Sequence, residues 1–164
     1  MMLVGFYVAA IVAANLSVAV FGPWVSPINA FLFIGFDLFA RDRLHDQWNG
    51  NKLWVKMGAL IVASGLISFA LNPASGVIAI ASVVAFICAG AFDSAAYHVL
   101  RDRSYIVRSN GSNVAGAAID SLIFPAIAFG AFMPEIVALQ FAAKVFGAFI
   151  WSFVISTKLQ KAAK

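Results

Sequence analysis

Long apolar runs separated by short polar stretches dominate this chain. A helix needs about 20 mostly apolar residues to cross a hydrocarbon core. The first run covers residues 1–21 and ends where Gly22, Pro23 and Pro27 break the pattern. The second, 24–40, is shorter and leads into the polar stretch RDRLHDQWNGNK at 41–52. The third, 53–71, stops at Asn72-Pro73. The fourth, 74–100, is followed by RDRSYIVRSNG at 101–111. The fifth, 112–132, closes on a tight turn at Met133-Pro134, and the sixth, 135–157, leads into a Lys-rich tail. The pattern predicts an all-α membrane protein. Six transmembrane helices would form one compact bundle, with 1–164 as a single domain.

Composition agrees. The chain is 63% hydrophobic and 11% charged, with a mean hydropathy of +0.94, far outside the range of soluble domains. The single Cys88 excludes an intramolecular disulfide and reads as a small core residue. His45 and His98 stand apart, and no Cys/His cluster has metal-ligand spacing, so neither a metal nor a cofactor is expected.

Charge sets the orientation. With six spans, the stretches after spans two and four share one side of the membrane with both termini. Arg41, Arg43, Lys52, Lys56, Arg101, Arg103, Arg108, Lys158, Lys161 and Lys164 all lie at or next to that side. The opposite loops hold no Lys or Arg. Cytoplasmic loops carry the excess of Lys and Arg, so both termini are expected in the cytoplasm. The net charge of +4 is explained by this asymmetry and calls for no nucleic-acid partner. The first run has no basic segment ahead of it and is read as a retained helix rather than a signal peptide. Its rows Ala9/Ala13 and Ala10/Ala14 have the spacing that lets helices approach closely. Packing within the bundle is the preferred reading; a homodimer or partner face is the alternative.

Four charges depart from the pattern by lying inside apolar runs: Asp37, Asp93, Asp120 and Lys144. Charges at membrane depth are expensive unless paired, wetted or neutralised. At 1.5 Å rise per residue, Asp93 lies roughly 12 Å from the boundary at Arg101, and Asp120 roughly 12 Å from Ser112. Lys144 lies roughly 21 Å from Lys158. These three are deep enough to meet. Asp37 is shallower and has Arg41 four residues on, which suits a structural pair or a cytoplasmic gate. The bland reading of the deep group is a buried ion pair of Lys144 with one Asp. Formal charge is then −2 + 1 = −1, and the other carboxylate lacks a partner.

Polar neighbours reinforce the deep group. Asn113, Gly116 and Asp120 share one helix face, Gln140 and Lys144 another, and Asn15 and Asn29 lie inside apolar runs. Together with Asp93, Asp120 and Lys144, the residues Asn15, Asn113 and Gln140 are the candidate substrate-binding set. Carboxylates and amides between aromatic walls suit a small planar heterocycle with N–H donors.

Five stretches then carry a resemblance. They are AANLSV around Asn15, PINAFLFIGFDLFARD with Asp37 and Arg41, ICAGAFDSAAYHVLRDRS with Asp93, RSNGSNVAGAAIDSLIF with Ser112, Gly116 and Asp120, and FAAKVFGAFIWSFVIS with Lys144. In this order they resemble the VUT family of six-span bacterial membrane proteins, and in particular its queuosine-precursor importers. The resemblance implies a bundle similar to the vitamin-binding S-components of energy-coupling transporters, in a bacterial cytoplasmic (inner) membrane. It implies import of 7-cyano-7-deazaguanine or 7-aminomethyl-7-deazaguanine. The chain departs from the family in its short N-terminus and outer loops, and in Ala117, where the family often has a polar residue. An S-component that needs an ATPase partner is the alternative function, and a structural or pore-forming protein is a third. No Ser/His pair, two-Asp protease motif or metal-ligand motif stands at useful spacing, so an enzyme is not expected.

Overall fold

A computed structural model of the chain describes residues 2–34, 36, 44, 48 and 52–162. Among the described residues the protein is all-helical. Helix α1 (Met2–Phe21) ends at Gly22, whose φ of 76° is a conformation that favours glycine. A short 3-10 turn (Pro23–Val25) follows, then α2 (Ser26–Asn29), which passes directly into a π-helical stretch at Ala30–Ile34. The chain resumes in α3 (Leu53–Leu71), a 3-10 turn (Pro73–Ser75), α4 (Gly76–Val99), α5 (Tyr105–Phe129) and α6 (Pro134–Ala162).

The expected stops recur. Asn72, held extended ahead of Pro73, accepts a hydrogen bond from the Ala74 amide at 3.0 Å and so closes the gap between α3 and the next turn. Gly130 caps α5 in the left-handed region at φ 65°, and α6 begins on Pro134, where a missing N–H costs nothing.

Three expectations shift. Among its described residues the second segment is helical throughout but not uniformly α: it starts as a 3-10 turn at the prolines and widens to a π-helix after Asn29. Helix α5 begins at Tyr105 rather than Ser112, with Ser104 extended at its N-cap position. The polar residues there end the apolar run without ending the helix, since a helix satisfies its own backbone in water as in lipid. Helix α6 likewise continues beyond residue 157 to Ala162.

Burial is inverted relative to a water-soluble protein. Asn15, Ser64, Ser68, Ser121, Gln140 and Lys144 are all buried. Val20, Leu66, Phe69, Ile87, Phe132 and Phe146 are exposed. Lipid tails are as apolar as these side chains, so nothing drives them inward, while polar groups gain by finding one another inside. The stretches Met2–Phe21, Pro73–Val99 and Asn110–Phe129 are each long and apolar enough to span a bilayer, and Val55–Leu71 is a shorter apolar stretch.

Two interfaces position the interior. Tyr7 and Ile11 of α1 pack with Met57 and Ile61 of α3 and with Leu44 into an apolar cluster. Helices α4 and α5 form the most extensive pair and meet through small residues. Ala85 and Ala89 are buried on α4, Gly116 and Ala117 on α5. A Cβ on Gly116 would come within 3.4 Å of the Ala89 carbonyl oxygen, so the absent side chain sets how closely the two backbones approach. In α1, Ala10 and Ala14 are buried within the protein.

Candidate functional site

Lys144 is the centre of the interior. Its helix places it one turn beyond Gln140, and both are buried. The ammonium forms an ion pair with Asp120 of α5. It also donates to Ser121 Oγ at 3.0 Å and to Gln140 Oε1 at 3.2 Å. An ammonium has three N–H donors, so this one is fully used. Pro125 of α5 lies four residues past Ser121 and has no N–H to give the Ser121 carbonyl, which loosens the backbone ladder beside the pair.

From Gln140 the network reaches the second segment. The Gln140 amide donates to Ser26 Oγ at 2.8 Å. On the next turn, Asn29 spends both N–H groups on α1, donating to the Ala14 carbonyl at 3.2 Å and to Ser17 Oγ at 2.7 Å. Its carbonyl oxygen accepts no hydrogen bond among the described residues. Asn15 ties three helices together. Its amide donates to Ser68 Oγ of α3 at 3.2 Å, and its oxygen accepts from Ser82 Oγ of α4 at 2.7 Å.

These groups border one cavity with about 100 Å³ of room for the centres of water-sized molecules. On that measure a water needs about 10–15 Å³, so the space takes several waters or one small organic molecule. Asn15, Asn29, Asp120, Gln140 and Lys144, with Ser26 and Ser82, supply its polar lining, and Tyr7, Phe86 and Phe124 its aromatic walls. Asp120 is the more open member of the ion pair, its side chain 24% exposed against 3% for Lys144. The cavity therefore offers a carboxylate and an amide oxygen as acceptors, while its one ammonium is already occupied by protein oxygens. Such a lining suits a ligand that brings N–H donors.

Of the candidate residues, the structure gathers Asp120, Lys144, Asn15 and Gln140 around this cavity. Asn113 is half-buried one helical turn outside the lining, and Asp93 is also outside it. Asp93 instead lies against Gly116, whose notional Cβ would sit 3.3 Å from Asp93 Cβ. Asp37 and Arg41 fall outside the described residues. Among the described residues, no group of three or more His, Cys, Asp or Glu is placed to hold a metal.

Ser26, Ser82 and Ser121 join the network without having been singled out in the sequence. A serine inside an apolar run has no distinctive spacing, and only its neighbours reveal its use. Ser26, between Pro23 and Pro27 at the break after α1, carried the one available hint.

A helical protein that turns apolar side chains outward around a polar, ion-paired interior is an integral membrane protein. The family comparison is specific: a model described as "Putative vitamin uptake transporter" matches residues 2–157, and the chain belongs to that family. No curated protein and no solved structure matches it. Family membership puts the chain among putative transporters.

Proposed function

We propose that this protein imports a queuosine precursor, 7-cyano-7-deazaguanine or its 7-aminomethyl form, across a bacterial cytoplasmic membrane. Both termini face the cytoplasm in this reading, and residues 1–164 act as one transport unit. The observation that carries it is the cavity lining: acceptors at Asp120 and Asn29, with Phe86 and Phe124 beside them. A 7-deazaguanine is planar and presents adjacent N–H donors on its guanine-like edge. A carboxylate takes such a pair of donors strongly, because a charged acceptor shortens and strengthens each bond. In this reading Asp120 grips that edge, Lys144 holds Asp120 in place, and the aromatic walls meet the ring faces.

The test is genetic. The chain is expressed in a bacterial strain that lacks its own precursor importer and cannot make the precursor. Queuosine in tRNA is then measured at low external 7-cyano-7-deazaguanine. Restored queuosine is expected. Well-inserted protein that restores none would overturn the assignment.

A further inference from the structure

The cavity accounts for Asp120 and Lys144 and leaves a second carboxylate unused. Asp93 stands on α4, within the span Pro73–Val99. Its Oδ1 is buried and has no hydrogen-bond partner. The charged and titratable side chains described on the helices packed against α4 are Tyr7 on α1, Lys56 on α3 and Asp120 on α5, with Lys52 just ahead of α3. Asp120 is held by Lys144, Lys56 lies 5.2 Å from the centre of the Trp48 ring, and Lys52 is exposed. On α4 itself, Tyr97 lies one turn beyond Asp93, and Cys88 and His98 lie five residues to either side. None of these groups makes an ion pair or hydrogen bond with Asp93.

Its position is as informative as its isolation. Ala89 and Gly116 both line the cavity, and Asp93 packs against Gly116 without itself lining the cavity. A buried carboxyl oxygen at membrane depth with no donor is a polar group left unsatisfied by the protein. A proton is the smallest group that could serve such a site, which suits a position packed against a glycine.

We propose that Asp93 is a proton-binding site that couples transport to the proton gradient, with Gly116 as the wall through which ligand and proton sense each other. One proton adds to the carboxylate from the outer side and leaves it to the inner side; an O–H bond forms and breaks, and the ligand is chemically unchanged. The inference rests on the transport reading above.

Purified protein in liposomes, with labelled 7-cyano-7-deazaguanine outside and an inward pH gradient of about one unit, separates the two claims. One proton per neutral ligand gives about tenfold accumulation per pH unit. Wild type is expected to accumulate the compound several-fold and to acidify the lumen as it does so. Asp93→Asn should give no more than the external concentration. Asp93→Glu, which restores a carboxyl, should regain several-fold accumulation, an outcome that a merely disrupted fold would not allow. Wild type that equilibrates the compound but ignores the gradient would overturn the proton site and leave the transport reading standing. Asp93→Asn accumulating like wild type would do the same. Wild type that moves none of the compound would overturn both.

Discussion

Lys144 and Asp120 hold each other in a place where neither is tolerable alone. Removing one partner of a buried pair leaves an uncompensated charge, which costs about 3–5 kcal/mol, whereas replacing both by neutral groups is often close to harmless. Lys144→Met should therefore lower stability by about 3–5 kcal/mol, and Lys144→Met with Asp120→Asn should recover most of that loss. Chemical unfolding in detergent checks this. Losses that simply add would show that the two residues do not act as a pair. The sequence located both residues by depth but offered Lys144 two carboxylates at the same distance from the boundary. What decided between them was rotation about the helix axes: Asp120 faces α6, while Asp93 faces Gly116 across the α4–α5 contact. Rotation is hard to read in helices that are apolar nearly all round, because no polar face marks the solvent side.

At the scale of elements, the close contact of α4 and α5 depends on Gly116. Adding a methyl there brings it to 3.3 Å from Asp93 Cβ and 3.4 Å from the Ala89 carbonyl oxygen. The neighbours would have to give by a few tenths of an ångström, and the Ala89 carbonyl is helix backbone with little freedom to do so, so Gly116→Ala should destabilise by about 1–3 kcal/mol. Gly58 of α3 has nothing within 4 Å of its notional Cβ, and Gly58→Ala should be neutral or stabilising by about 0.5–1 kcal/mol. Thermal unfolding of the two variants side by side checks the contrast. Equal effects would mean that the α4–α5 spacing is not set at Gly116. The element boundaries were legible wherever chemistry forces a stop, at Gly22-Pro23, Asn72-Pro73 and Met133-Pro134. They were not legible at Tyr105, where hydropathy falls but backbone hydrogen bonding continues. The π-helical stretch after Asn29 was also hidden, since nothing in AFLFI distinguishes it from an ordinary α-helix. That stretch follows directly from the turn that presents Asn29 to the cavity.

The whole molecule is a helical membrane protein with its polar side chains turned inward, belonging to a vitamin uptake transporter family. The sequence told the class of protein through its apolar runs and the ordered motifs, and it singled out four polar residues that line the cavity, Asn15, Asp120, Gln140 and Lys144. It could not supply the serines that bind the network together, because their role lies wholly in which helices become neighbours. The central claim is that the cavity beside Asp120 binds a planar ligand with N–H donors. A ligand that binds only the folded state stabilises it by about 2.7 kcal/mol at a hundred times its Kd. The most direct measurement is the thermal unfolding of purified protein with 7-cyano-7-deazaguanine, against purines and vitamins as controls. Wild type is predicted to unfold several degrees higher with the deazaguanine than without it, and Asp120→Asn to show little or no such shift. An unchanged Tm for wild type, or an equal shift in Asp120→Asn, would contradict the account.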